Sequence, residues 1–167
     1  MEKLRKTSTD GLYPCDELST LQGYPARRSF KITHSEPGSA VVALLDVQRR
    51  HRICKVSGQL LSARGRHTRQ LMPGIHVHDP YFCGLLPHSC DPNVFLDMSE
   101  LWLWSLKDIT KGTLLCMDYA STEDELFHQF ACRCGSAECR GWITGYNEPP
   151  NADGQLFLQH WHRHSLC

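Results

Sequence analysis

Three cysteines near the C-terminus are spaced like the ligands of a metal ion. Cys132, Cys134 and Cys139 lie within eight residues in the run CRCGSAEC, and Gly135 allows the chain to turn between them. Thiolates at such short spacing are typical of structural zinc sites. The chain has nine cysteines, an odd number, and its first residues contain no apolar secretory signal. A metal is therefore favoured over disulfide bonds.

The fourth ligand of a structural zinc ion has to come from elsewhere in the chain, because such sites are tetrahedral. Cys90 is the best candidate, since Pro87 and Pro92 stiffen the loop around it. The competing ligands are histidines, namely His76, His78, His160, His162 and His164. A histidine pair or a histidine-rich tail is a weaker indication of metal binding than clustered cysteines.

The residues around these cysteines predict short strands separated by turns. Apolar or alternating runs indicate strands that begin at Ala40 and Arg52, a hairpin over 94–106, and a strand over 113–119 with the sequence TLLCMDY. Alternation in LWLWSL places Trp102 and Trp104 on one face of their strand. The basic residues of 64–69 are typical of a solvated surface loop.

Two short helices are also predicted. Thr122 and Glu125 fit a capping box at the start of a helix that ends near Phe130. The tail QLFLQHWHRHSLC, after the linker NEPPNADG, fits a second helical segment.

Three segments resemble, in order and spacing, the motifs of SET-domain lysine methyltransferases. The run PHSCDPN at 87–93 is similar to the family signature Asn-His-Ser-Cys-x-Pro-Asn. The segment LKDITKG and the following TLLCMDY resemble the stretch that ends in the family's catalytic Asp-Tyr, and CRCGSAECRGWI resembles the post-SET zinc motif. This resemblance covers about residues 88–145, and residues 39–58 resemble the first SET strands more loosely.

The resemblance implies a mainly β, SET-like fold of several small sheets. The signature loop and the segment before the tyrosine would cross in a pseudoknot, and a zinc site with four cysteine ligands would staple the post-SET segment. The chain would then consist of an irregular lead-in (1–30), the SET-like domain (31–131), the post-SET zinc segment (132–146), and a linker with a C-terminal tail (147–167).

The resemblance also implies methyl transfer from S-adenosylmethionine to a lysine or another amine. The substrate would be a basic peptide or a small-molecule amine that enters from the side opposite the cofactor. Tyr119 matches the catalytic tyrosine, and His88 is the second catalytic candidate. The cofactor contacts implied by the family are Pro87, His88, Ser89, Asn93, Trp142 and Ile143.

Several positions differ from the family pattern and keep two alternatives open. Pro87 replaces the first Asn of the signature, and Gly38-Ser39-Ala40 replaces the usual Gly-x-Gly. Leu114 and Met117 stand where the family has Glu and Phe. One alternative is a SET-like scaffold that has lost the cofactor and serves as a binding module. The other is a pocket adapted to small-molecule chemistry without S-adenosylmethionine, such as a cyclisation, with acid–base work by Tyr119 and His88.

Composition limits the remaining classes of function. With 167 residues the chain is long enough for one domain, and its 18 Lys and Arg balance 18 Asp and Glu. This balance argues against a strongly basic nucleic-acid binder, and no sequence-specific binding of nucleic acid is expected. No apolar run is long enough to cross a membrane, so we expect a cytoplasmic or nuclear protein that is not secreted.

The charges are divided unevenly along the chain. Residues 1–70 carry 13 basic and 6 acidic side chains, and residues 71–167 carry 5 and 12. Either the two halves pack together and compensate, or an acidic face attracts a basic substrate.

Overall fold

Short antiparallel strands make up most of the regular structure. The structure is a computed structural model that describes residues 10–36 and 38–164. The first nine residues of the predicted lead-in (1–30), Pro37 and residues 165–167 lie outside the described part. The strands are β1 (Phe30–Ser35), β2 (Gly38–Ala43), β3 (Arg52–Lys55), β4 (Gln59–Leu61), β5 (Thr68–Met72), β6 (Ile75–His78), β7 (Val94–Asp97), β8 (Trp102–Ser105), β9 (Phe130–Ala131) and β10 (Trp142–Ile143). An α-helix, α1 (Ala152–His164), follows them, and single 3-10 turns lie at Thr20–Gln22, Cys83–Leu85 and Tyr119–Ser121.

The strands form four small sheets, as the resemblance implied. The pairs β1–β2 and β9–β10 form two-stranded sheets, and the orders β3-β8-β7 and β4-β6-β5 form three-stranded sheets. Every pairing between these ten strands is antiparallel. The prediction of a mainly β fold is therefore confirmed. None of the helices in the described ranges has the length and apolar character needed to cross a membrane.

Strand β8 shows how alternation divides its residues between two faces. Leu103 is fully buried in the core. Trp102 and Trp104 lie on the opposite face, where the guanidinium of Arg52 is 4.8 and 5.8 Å from the centres of their rings. The tryptophan face is therefore covered by a cation–π contact rather than by the core.

The apolar core extends under the loop that precedes the signature segment. Phe82 and Leu86 are fully buried, and the rings of Phe82 and Phe30 are 4.9 Å apart. The buried carboxylate of Asp79 anchors this loop by accepting hydrogen bonds from the Tyr13 hydroxyl and from the N–H groups of Tyr81, Phe82 and Cys83. Because this carboxylate has several donors, its burial is compensated and the loop is held in place.

The prediction of a helix that begins at Thr122 and ends near Phe130 is wrong. The chain makes a single 3-10 turn at Tyr119–Ser121, which Asp118 caps by accepting from the N–H of Ala120. The carbonyls of Glu123 and Asp124 then accept hydrogen bonds from the N–H groups of residues 146 and 147. These carbonyls are therefore used by a distant segment and not by a helix.

The predicted strand TLLCMDY is extended but pairs only at isolated points. It bridges β2 at Leu114 and forms a parallel bridge between Met117 and His88. The N–H of Met117 donates to the Pro87 carbonyl, and the N–H of Ser89 donates to the Met117 carbonyl. These bonds bring the signature loop and the segment before Tyr119 side by side.

Two further predictions had different outcomes. The C-terminal helix is present, and it begins at Ala152 because Asn151 accepts a hydrogen bond from the N–H of Gly154 and caps it. The prediction that 64–69 is a solvated loop is wrong at its end, since β5 begins at Thr68 and Arg69 is only 6% exposed.

Candidate functional site

The structure brings four cysteines together. The Sγ atoms of Cys90, Cys132, Cys134 and Cys139 all lie within 4.8 Å of one another. The Sγ atoms of Cys90 and Cys132 are 3.8 Å apart. A tetrahedral site with Zn–S bonds of about 2.3 Å requires S···S separations of about 3.8 Å, so this donor set fits zinc.

Backbone hydrogen bonds hold this cysteine cluster in shape. The N–H of Cys132 donates to the Gly141 carbonyl, and the N–H of Arg140 donates to Cys90 Sγ at 3.4 Å. Although burial opposes the shift, hydrogen bonds from backbone and neighbouring thiols lower the pKa of Cys134 to about 6. Cys134 therefore favours the thiolate, the form that binds metal, whereas burial raises the pKa of Cys90 and of Cys132.

The competing histidines are not part of this cluster. His76 and His78 lie on β6, where they pair with β4 and β5. His160 and His162 lie on α1, and the side chain of His164 is outside the described part. Over 10–36 and 38–164, the four cysteines are the group of potential ligands found within reach of a single metal ion.

The cysteine cluster is connected to Tyr119 through Asp118 and His88. Arg140, next to Cys139, donates to both carboxylate oxygens of Asp118 at 2.8 and 2.7 Å. Although burial opposes the shift, the hydrogen bonds and charge of Arg140 hold the pKa of Asp118 below its usual value. This bidentate pair fixes the segment that carries Tyr119.

His88 has both ring nitrogens in use. Its Nδ1 accepts from the N–H of Tyr119 at 3.2 Å, and its Nε2 lies 3.4 Å from Cys90 Sγ. Burial lowers the pKa of His88 to about 4, against the opposing charge of Asp118, so the imidazole is neutral at pH 7. The geometry gives His88 the position of a link between the cysteine cluster and Tyr119.

Two donors converge on one backbone carbonyl beside Tyr119. The Tyr119 hydroxyl donates to the Leu86 carbonyl at 3.0 Å, and Arg69 Nη2 donates to the same oxygen at 2.9 Å. The guanidinium of Arg69 also lies 4.7 Å from the centre of the Tyr119 ring. Sequence reasoning missed Arg69, because nothing local distinguishes it from Arg64 and Arg66, which precede it.

Tyr119 lines a cleft of about 880 Å³. Small-molecule sites usually measure about 300–1,000 Å³, so this cleft has room for a nucleoside-sized ligand. Its other lining residues include Gly38, Ala40, Pro87 and Phe130. The space next to Gly38 is open to 4 Å, whereas Pro87 offers no N–H to a ligand. The cleft thus fits S-adenosylmethionine in size.

The other residues implied as cofactor contacts make contacts within the protein. Ser89 Oγ accepts from the N–H of Asp91. Asn93 donates to the Leu114 carbonyl and accepts from the N–H of Cys116, both at 2.8 Å. Trp142 and Ile143 form β10. Trp142 Nε1 donates to Gln129, and its ring packs on Phe157. Ile143 is fully buried.

Known proteins with sequences similar to this chain include methyltransferases. No family model matches the chain. Over 97 residues it is 35% identical to methyltransferase flvH of Aspergillus flavus, a match that covers 55% of this chain and 51% of that protein. Over 92 residues it is 30% identical to the H3 lysine-9 specific histone-lysine N-methyltransferase dim-5 of Neurospora crassa, which covers 41% and 28%. The chain thus spans about half, or less, of these relatives.

Solved structures of KRYPTONITE are similar over a larger part of the chain. The complex with mCHG DNA and SAH gives a TM-score of 0.56 at 21% identity and covers 68% of this chain and 28% of that one. A second complex, which also contains an H3(1-15) peptide, gives 0.54. The chain therefore has a SET-like fold, and the resemblance to SET-domain methyltransferases is confirmed.

Proposed function

We propose that this chain is a SET-like enzyme that transfers a methyl group from S-adenosylmethionine to an amine. The observation that carries the proposal is the position of Tyr119, which lines the cleft with its hydroxyl bound to the Leu86 carbonyl. Relatives described as methyltransferases, and similar structures that contain SAH, support it. The amine belongs either to a lysine in a basic peptide or to a small molecule.

Some residues of the cleft would bind the cofactor, and Tyr119 would orient the substrate. S-adenosylmethionine supplies an electrophilic methyl group on a positively charged sulfur. Gly38, Ala40 and Pro87 would pack against it, and Tyr119 would orient the attacking nitrogen. Orientation of this kind accounts for much of the rate gain in a simple transfer reaction.

Zinc has a structural role in this proposal. Four cysteines leave no open coordination position for a substrate, as is usual in structural sites. The ion would hold Arg140 and His88 in place and, through them, the segment of Asp118 and Tyr119.

Pro87 and Ala40 favour a second candidate function. Both line the cleft at positions where the family has cofactor contacts, and Pro87 lacks both the amide side chain and the N–H. A cleft that has lost the cofactor would serve as a binding module or carry out chemistry without S-adenosylmethionine.

Calorimetry with S-adenosylmethionine and SAH tests the proposal first. Binding to the zinc-loaded chain is expected, followed by transfer of a methyl group to candidate peptides or amines, detected by mass spectrometry. Tyr119→Phe should lower the rate by about 10²–10³, the usual effect of one positioned donor. Its stability should change by no more than about 0.5–1.5 kcal/mol, because one hydrogen bond is lost.

Tyr146→Phe is the matched control, since Tyr146 is exposed and is not among the cleft residues. It should keep full activity. Turnover without S-adenosylmethionine would favour the second candidate function. If neither S-adenosylmethionine nor SAH binds, the proposal of methyl transfer is refuted.

A further inference from the structure

Arg69 is a buried cation whose charge is not paired within the described part of the protein. Arg69 is the second residue of β5, and it is only 6% exposed. Nη1 and Nη2 donate to the carbonyls of Thr68 and Leu86, both at 2.9 Å, while Nε has no acceptor among the described residues. The ion pairs of the described chain are formed by Arg28, Arg64, Lys107 and Arg140, and not by Arg69.

Glu123 is a buried carboxyl near Arg69, but the two form no ion pair among the described residues. Its Oε1 accepts from the N–H of Gln70 at 2.8 Å and from Thr122 Oγ1 at 3.1 Å. Burial raises the pKa of Glu123 above its usual value, against the opposing effects of that N–H and of Arg69. A buried cation of this kind is strongly destabilising unless an anion compensates it.

The same surroundings do not suit a lysine side chain. The Leu86 carbonyl already accepts from Tyr119 and Arg69, which uses both lone pairs that an incoming ammonium would need. The cleft also contains Arg64 and Arg66, against the single carboxyl of Glu123. The acidic residues of the second half of the chain therefore do not make this cleft attractive to a basic peptide.

We infer that the substrate is a small amine that also carries a carboxylate, and that Arg69 binds this carboxylate. Arg69 and Tyr119 both line the cleft, and the guanidinium lies against the Tyr119 ring. A carboxylate bound to the remaining N–H groups of Nη1 and Nη2 would therefore place the rest of a small molecule beside the Tyr119 hydroxyl. Arginine is well suited to carboxylates, because its planar group offers several donors in fixed directions. The inference rests on the proposed methyl transfer and names its substrate class.

The test compares free amino acids with their carboxamides as ligands of the zinc-loaded chain, by calorimetry with and without SAH. At least one amino acid should bind, and its carboxamide should bind at least about tenfold more weakly, because a hydrogen bond to a charged group is lost. Arg69→Met should remove this difference between acid and amide. Arg66→Met is the matched control, since Arg66 is an exposed arginine of the same cleft, and it should keep the difference.

SAH binding separates this inference from the proposed function. Both variants should bind SAH like the unchanged chain, which also shows that they are folded. If SAH does not bind but the preference for carboxylates does appear, methyl transfer fails and the Arg69 site stands. If no amino acid binds better than its amide, or if Arg69→Met keeps the preference, the inference is wrong. A different result is that the unchanged chain shows no preference for carboxylates while Arg69→Met gains binding to an H3 peptide. That result would show instead that Arg69 blocks a channel for a substrate lysine.

Discussion

Tyr119 is held by groups that come from three distant parts of the chain. Its hydroxyl binds the Leu86 carbonyl, its N–H binds His88, and its ring lies under Arg69. The rings of His88 and Phe130 are 5.2 and 6.0 Å from it. A residue with so many partners has little rotational freedom, which suits a group that must orient a nucleophile.

Cys90→Ser should remove the zinc ion and destabilise the domain. Metal binding and folding are coupled, so the free energy of unfolding should fall by about 4 kcal/mol or more, a size typical of a lost structural metal. Metal analysis and thermal unfolding measure the two effects. Cys15→Ser is the control, because Cys15 lies outside the cluster and bonds to Glu17. Full zinc content with unchanged melting in Cys90→Ser would remove Cys90 from the ligand set.

Pro87→Asn should strengthen the binding of S-adenosylmethionine. The change restores an amide side chain and an N–H at the edge of the cleft, and one hydrogen bond contributes about 0.5–1.5 kcal/mol. Calorimetry should therefore show a dissociation constant that is lower by about 2- to 12-fold. Pro87→Ala restores only the N–H and serves as the control. Equal affinities in Pro87→Asn and Pro87→Ala would show that the side chain makes no contact.

At the scale of elements, tight connections decide where the short strands can pair. The turn between β2 and β3 places Arg50 at a φ of 61°, in the left-handed region. Its N–H donates to the Ser105 carbonyl, and the N–H of His51 donates to Ser105 Oγ. These bonds connect the turn to the end of β8, next to β3.

Arg50→Gly should stabilise the protein. A left-handed conformation costs an L-residue about 1–2 kcal/mol, and glycine avoids this cost but loses about 0.5–1 kcal/mol of chain entropy. The net gain in the free energy of unfolding should be about 0.5–1 kcal/mol, measured by denaturant titration. Arg49→Gly, at an exposed neighbour without a positive φ, should instead be neutral or destabilising. Destabilisation by Arg50→Gly would show that the Arg50 side chain contributes more than the strain it imposes.

Gly154→Ala should weaken the docking of α1. Alanine normally favours a helix over glycine by about 1 kcal/mol, but here its Cβ would lie 2.2 Å from Trp142 Nε1. The clash should cost about 1–3 kcal/mol and change the tryptophan fluorescence. Gly65→Ala, where nothing lies within 4 Å of the added carbon, is the control. A higher melting temperature in Gly154→Ala would mean that α1 is not packed on β10.

At the scale of the whole molecule, the two unequally charged halves are joined by direct ion pairs. Arg64, from the basic half, pairs with Asp124 and Glu125 from the acidic half at 3.1 and 3.4 Å. The cysteine cluster adds a connection within the acidic half. Three of its thiols follow β9, and the fourth belongs to the signature loop that also pairs with Met117.

Removal of zinc should therefore loosen a defined part of the molecule. A chelator should increase hydrogen exchange over 130–143, at 117–119 and in α1, because these segments depend on the cysteine cluster. The sheet of β3, β8 and β7 should stay protected, since its contacts lie in the apolar core. Mass spectrometry measures both regions, and the same chelator preloaded with zinc is the control. Uniform exchange along the chain would show that zinc supports the whole core.

The sequence by itself determined the features that depend on local spacing. The cysteine run, the signature loop and the Asp-Tyr pair are short segments whose residue types are sufficient to indicate a SET-like fold. The hairpin of β7 and β8 and the C-terminal helix were also predictable, because alternation and helical composition act within a few residues.

Tertiary structure alone decided the rest. The helix predicted after Thr122 does not form, because its carbonyls bind the distant N–H groups of residues 146 and 147. Arg69 resembles a surface arginine until the pairing of β5 with β6 turns it inward beside Tyr119. The side chains of Arg69 and Tyr119 meet at the Leu86 carbonyl. The sequence cannot indicate this acceptor, because every residue has a backbone carbonyl group. Only the packing of segments far apart in the chain decides which carbonyl becomes part of the site.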